Sequence, residues 1–257
     1  MLDPARQNNR DRRTGRDLPL GRWRCRIPGR VRLEQLDAGL AFAVMQARDV
    51  QVGPLLVCCG SATEYGAAII DPICETARCA PLSAYGKAKL VQTNAALAFA
   101  EATGTPVLIA RIFNPIGPGM PPYLALGDFA RQIAALRDAY GVLQTGNICV
   151  SRDFIDVEHV VESMWKLSQN PDARGVVNIC SGRATELSKL VEMLIDLSGK
   201  KVTIETISSR ARPEELDVVV GSTALLAKLG AAPPQTDYAD VVGRVWKAAE
   251  ALFSGVS

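Results

Sequence analysis

Apolar positions along the chain fall into short runs separated by longer amphipathic stretches. "PLLVCCG" (54–60) is brief, apolar and ended by Gly60, which predicts a buried strand. "PVLIARIF" (106–113) and "GVVNIC" (175–180) predict two more. Between the first two, residues 83–103 carry a helical pattern, entered through Pro81 and Ser83 and closed by Gly104. Further helices are expected over 33–48, 124–139, from about Asp156 through "VEHVVESMWKLSQ", over 185–198, near 222–229 and over 237–253. "RDFID" reads as a short extended piece, and "KVTIETI" (201–207) alternates like a strand with one wet face. Apolar strands alternating with helices predict an α/β fold: a parallel sheet covered on both faces.

The chain has 257 residues, 48% hydrophobic and 22% charged, enough for a substantial core. The boundaries expected are a basic, disordered tail over 1–30 and two further units, over 31–145 and 146–257. No apolar run reaches the roughly 18 residues of a membrane span. Seven scattered cysteines without zinc spacing are expected to be reduced, mostly buried thiols, in a cytoplasmic protein. No metal site is expected.

Charge changes the picture only at the start. Ten arginines face Asp3, Asp11 and Asp17 within the first 32 residues, so a basic tail precedes a mildly acidic body. Residues 1–30 show no apolar period of either kind. Nucleic-acid contact is the weaker reading of this tail, because only Trp23 interleaves its arginines.

The candidate chemistry lies in "SAYGKAK" (83–89), where Tyr85 and Lys89 stand four apart on the expected helix. An ammonium beside a phenol favours the phenolate, which makes such a tyrosine an acid/base candidate. A surface tyrosine with an unrelated lysine is the plain alternative. "CCGSATEYG" puts Ser61 at the C-terminal end of a strand, the edge where open α/β sheets bind ligands. Its plain alternative is a turn or cap. His159, the single histidine, is read as structural or exposed.

These segments carry a resemblance. "GSATEYG", "SAYGKAK", "ARIFNPIGPGM", "GNICVSRDFIDVEHVV", "VVNICSG" and "RPEELDVVVGSTALLAKLG" follow one another as in the extended short-chain dehydrogenase/reductase family, the NAD-dependent epimerases and dehydratases. The resemblance runs from about residue 33 to 250 and implies an incomplete doubly wound, Rossmann-like parallel sheet, with a partial Rossmann-like domain over 31–145 and a small α/β substrate-binding lobe over 146–257. It implies a catalytic set of Ser61, Tyr85 and Lys89, with Tyr85 exchanging a proton with a sugar oxygen and Ser61 orienting that oxygen. Lys89 would also hold the nicotinamide ribose. Phe113 and Pro115 would lie near the nicotinamide of NAD or NADP. Asn114, Arg152 and Arg212 would hold a nucleotide-diphosphate sugar, a role that suits the guanidinium fork. A homodimer through the helix carrying Tyr85 is implied as well.

Dehydratases of the family carry an Asp–Glu pair after the Ser/Thr. Here Ala62 and Thr63 stand there, and Glu64 is one place out of register. The pattern is most similar to reductases of GDP-4-keto-6-deoxymannose, with sugar-nucleotide 4-epimerases next. The family's opening Gly-x-x-Gly-x-x-Gly turn, where backbone amides receive the pyrophosphate, has no counterpart in this sequence. Its absence leads to the expectation of a truncated or frame-disrupted member, and keeps a catalytically inactive sugar-nucleotide binder open beside the enzyme.

Overall fold

The computed structural model describes residues 55–66, 72–208 and 216–254. The expected tail over 1–30, the helix over 33–48 and Arg212 lie outside the described residues. In chain order the elements are β1 (Leu56–Ser61), a 3-10 turn (Ala62–Glu64), α1 (Ala84–Thr103), β2 (Val107–Ile112), β3 (Asn114–Ile116), α2 (Ala125–Ala135), β4 (Tyr140–Thr145) and β5 (Ser151–Asp156). Then follow α3 (Val157–Gln169), β6 (Gly175–Ile179), β7 (Ala184–Glu186), α4 (Leu187–Ser198), β8 (Lys201–Thr206), β9 (Val218–Val219), α5 (Ala224–Lys228) and α6 (Tyr238–Ala251).

The three apolar runs form one parallel sheet in the order β1-β2-β6, with Ser61 opposite Ile112 and Ile112 opposite Ile179. Alternation along β2 divides its side chains between two layers. Val107 and Ile109 pack with Cys58 against Leu97, Phe99 and Ala100 of α1. Leu108 and Ala110 face the other way, onto Val160 and Leu167 of α3 and Leu226 of α5. Both faces are thus covered, as the continuous apolar strands require. A second core joins α2, α4 and α6 through Phe129, Ile133, Leu190, Leu194, Val245 and Trp246. Strands β3, β5, β7 and β9 form a separate sheet, in which β7 alone runs antiparallel to β5.

Helix α1 follows its local signals: the Ser83 hydroxyl accepts from the Gly86 amide at 3.0 Å, and Gly104 closes it at φ +70°.

Three expectations need correction. The helix expected over 124–139 stops at Ala135, and residues 140–145 form β4, which pairs in parallel with β8. The chain folds back closely there: a Cβ on Gly141 would fall 2.5 Å from the Leu136 side chain. Lys200 then closes the helix end by donating to the carbonyls of Ile133 (3.0 Å) and Leu136 (2.7 Å). Strand β8 has more than one wet face, because only Val202 is partly buried and Ile204 stays exposed. The described cysteines are free thiols, but only Cys58 and Cys180 are buried. Cys59 shares the strand with Cys58, and the strand's alternation turns it outward.

Candidate active site

At the C-terminal end of β1 the chain leaves the sheet through Ser61, which caps the 3-10 turn. The Ser61 hydroxyl oxygen accepts from the Thr63 amide at 3.3 Å and from the Thr63 hydroxyl at 2.9 Å. Ser61 is buried, and because both bonds use its oxygen as acceptor its own proton remains to donate. Helix α1 begins against this turn. Gly86 makes the approach feasible, since a Cβ there would lie 2.5 Å from the Thr63 carbonyl oxygen.

Tyr85 sits in the first turn of α1 with 57% of its surface exposed. Lys89 lies one turn on, its Nζ 5.9 Å from the Tyr85 ring centroid. That ammonium donates to the Cys59 carbonyl at 2.9 Å and to Gln92 Oε1 at 3.0 Å, which leaves one N–H for a ligand. Ser61 thus ends β1, and Tyr85 and Lys89 lie in the first two turns of α1, which Lys89 ties to β1 through the Cys59 carbonyl. Phe113 is buried just past β2, its ring 6.4 Å from that of Tyr65, and Pro115 is half-buried in β3.

Of the implied substrate residues, Asn114 and Arg152 are described, and both lie in or against β5. Asn114 Nδ2 donates to the Asp153 carbonyl at 3.1 Å, and Arg152 Nη1 donates to the carbonyls of Ser151 (2.8 Å) and Asp217 (3.4 Å). His159 is half-buried on α3. Among the described residues no group of three or more His, Cys, Asp or Glu could hold a metal, and no helix is long and apolar enough to cross a membrane.

Two buried polar centres escape the sequence reading. Glu64 is fully buried and accepts from the Ser61 amide (2.8 Å), the Thr93 hydroxyl (2.8 Å) and Arg111 Nε (2.9 Å). Arg111 in turn lies 4.6 Å over the Tyr65 ring, and the Tyr65 hydroxyl donates to Asn178 at 2.6 Å. Burial pushes Tyr65 up to about 12, with Arg111 pulling against it. Asp153, also fully buried, accepts from Ser181 N and Oγ (both 2.7 Å), Gly182 N (2.9 Å) and Gly221 N (3.1 Å). Burial pushes its carboxyl up, while those donors pull it down. For the first a signal was present: Arg111 interrupts the otherwise apolar β2, and a buried charge requires partners.

The arrangement offers a phenol, an ammonium and a hydroxyl at one sheet edge. That set can move a proton to or from a ligand oxygen and hold it in place.

Comparison with known proteins shows what the chain is similar to. The NAD dependent epimerase/dehydratase family model matches residues 38–180, more than half of the chain. The GDP-6-deoxy-D-mannose reductase of Pseudomonas aeruginosa is 35% identical over 148 residues, covering 57% of this chain and 49% of the relative. The dTDP-6-deoxy-L-talose 4-dehydrogenase (NAD(P)(+)) of Kitasatospora kifunensis is 30% identical over 201 residues, 74% of this chain and 63% of the relative. The chain thus spans about half to under two thirds of the length of these curated relatives. Among solved structures, the RMD protein of Pseudomonas aeruginosa complexed with NADPH superposes with a TM-score of 0.72 at 25% identity, over 88% of this chain and 80% of that one. A putative epimerase from Burkholderia cenocepacia gives 0.75 at 26% identity, over 88% and 74%.

Proposed function

Because the chain belongs to the NAD dependent epimerase/dehydratase family, we propose that it carries the proton-transfer and substrate half of an NAD(P)-dependent sugar-nucleotide oxidoreductase. The reaction proposed is reduction of a 4-keto-6-deoxy sugar joined to a nucleoside diphosphate, with a GDP-linked sugar as first choice. The carrying observation is the Ser61–Tyr85–Lys89 group, held at the sheet edge by the Lys89 bond to the Cys59 carbonyl.

The residues present fit the nicotinamide end of the cofactor. Lys89 has an N–H to offer a ribose hydroxyl, and Pro115 and the buried Phe113 supply an apolar wall. A nicotinamide, when bound, supplies the hydride that reduces the sugar carbon. Tyr85 gives its phenolic proton to the C4 oxygen, which becomes the new hydroxyl. Ser61 donates to that oxygen and fixes its direction. Lys89 stabilises the phenolate left on Tyr85. Asn114, Arg152 and Arg212 hold the diphosphate sugar. These residues do not place the pyrophosphate end of the cofactor, and the sequence carries no Gly-x-x-Gly-x-x-Gly turn. That one observation favours a second reading, a sugar-nucleotide binder without turnover.

Glu64 supports reduction over dehydration, since it is consumed by Arg111 inside the core and cannot serve as a second acid/base. A 4-epimerase uses the same three groups, and relatives named UDP-arabinose 4-epimerase and dTDP-L-rhamnose 4-epimerase match part of the chain.

The test is a reductase assay of the full chain on GDP-4-keto-6-deoxymannose with NADPH or NADH, followed by loss of reduced-nicotinamide absorbance. Tyr85→Phe is expected to lower kcat by about 10²–10⁴-fold. A folded wild-type chain without turnover contradicts the enzyme reading.

A further inference from the structure

We propose that Glu64 and Thr93 form a positioning pin that sets the rotation of α1, so that Tyr85 and Lys89 face Ser61. The proposal rests on the proton-transfer reading of those three residues. Ser61 belongs to β1, whereas Tyr85 and Lys89 belong to α1, so something must fix the helix against the strand end. Glu64 reaches both. Its Oε1 accepts from the Ser61 amide at 2.8 Å, and its Oε2 accepts from the Thr93 hydroxyl at 2.8 Å. Tyr85, Lys89 and Thr93 follow one another in four-residue steps along one side of α1. A bond at Thr93 therefore constrains the same side of the helix that presents the reactive pair.

The carboxylate itself is held. Arg111 Nε donates to Oε2 at 2.9 Å from β2, with the guanidinium against Tyr65. Gly60 leaves room for it, since a Cβ there would fall 2.8 Å from Glu64 Oε1. The turn, the helix and two sheet strands thus converge on one buried carboxyl. Neither Glu64 nor Thr93 is solvent-accessible, so both act through Lys89 and Ser61 rather than on substrate.

The experiment uses the full chain as wild type, Thr93→Val and Thr93→Ser. Thr93→Val is close in shape and leaves Glu64 its bonds from Ser61 and Arg111. Two readouts are taken on the same proteins. The first needs no activity: competitive acylation compares Lys89, anchored on the Cys59 carbonyl, with exposed Lys87 as internal reference. In Thr93→Val the Lys89:Lys87 labelling ratio is expected to rise about fivefold, as loss of one hydrogen bond allows, and Thr93→Ser is expected to restore it. The second is steady-state kinetics. kcat is expected to fall about tenfold or more in Thr93→Val with KM for the sugar nucleotide within twofold, again restored by Ser. An unchanged labelling ratio overturns the pin. So does a raised ratio in an active enzyme whose kcat stays at the wild-type value. A raised ratio, restored by Ser, in a chain whose wild type shows no turnover upholds the pin's geometry and removes the enzyme reading instead.

Discussion

Glu64 Oε2 and Arg111 Nε meet at 2.9 Å with both side chains shut off from water, at the point where the Ser61 turn, α1 and β2 join. Such a pair gives up hydration on both sides, and its net contribution is small. Removing one partner is another matter, because the other is left charged and buried. Glu64→Gln is expected to destabilise the fold by about 3–5 kcal/mol. The double variant Glu64→Gln/Arg111→Met is expected to recover a large part of that loss. Urea midpoints for the wild type, both singles and the double measure the coupling.

The Tyr65 hydroxyl predicts an alkaline limit to stability. Burial raises this tyrosine from the ordinary 10 to about 12. Its contribution is therefore fully present below about pH 10 and is lost as pH rises through about 12. The unfolded chain releases that proton first, so the loss across the window reaches about 3 kcal/mol. Tyr65→Phe is expected to be less stable at neutral pH, because Asn178 Oδ1 loses its donor. It is also expected to lack this part of the alkaline slope. Denaturation series from pH 8 upward compare the two curves.

Two glycines on α1 should respond differently to alanine. Gly104 lies at φ +70° with nothing within 4 Å, so Gly104→Ala meets only backbone strain, about 1 kcal/mol. Gly86 has ordinary helical geometry, and alanine there gains up to about 1 kcal/mol of helix propensity. Its methyl nevertheless collides with the Thr63 carbonyl at 2.5 Å. Gly86→Ala is expected to be the more damaging change, by about 1–3 kcal/mol, and to lower kcat by shifting α1 off the Ser61 turn. Thermal midpoints and kcat of both variants decide it.

Asp153 receives three backbone amides and one hydroxyl. Asp153→Asn relieves the burial of charge, yet it points an NH₂ group at amides that can only donate. The expected result is a loss of about 2–4 kcal/mol and weaker sugar-nucleotide binding, since Arg152 precedes Asp153 on this strand and Asn114 donates to the Asp153 carbonyl. Unchanged stability in chemical denaturation contradicts that account of the carboxylate.

Legibility in the sequence followed the range of each interaction. Helix α1 could be read to the residue because Ser83 and Gly104 act locally, and the Tyr85–Lys89 spacing is itself a helical contact. The buried strands could be read because parallel sheets make continuous apolar runs. Strand β4 could not, because its partner β8 lies about sixty residues away and neither run has a strongly apolar face. The expectation of mostly buried cysteines fails at Cys59, because an apolar run does not show which side of a strand is open. Glu64 could be placed out of register for dehydration, but its Arg111 partner stands 47 positions along the chain. Only the arginine inside "VLIARI" hinted that an acid had to meet it.

The central claim is that Ser61, Tyr85 and Lys89 serve a nicotinamide nucleotide although the sequence has no glycine-rich turn for its pyrophosphate. The most direct measurement is a titration of the full, folded chain with NADPH and then NADH, read by nicotinamide fluorescence. The expected result is saturable binding at micromolar concentrations, weakened about tenfold or more by Lys89→Met, as loss of a charged hydrogen bond implies. No binding up to millimolar cofactor, in a chain whose circular dichroism shows it folded, contradicts the claim.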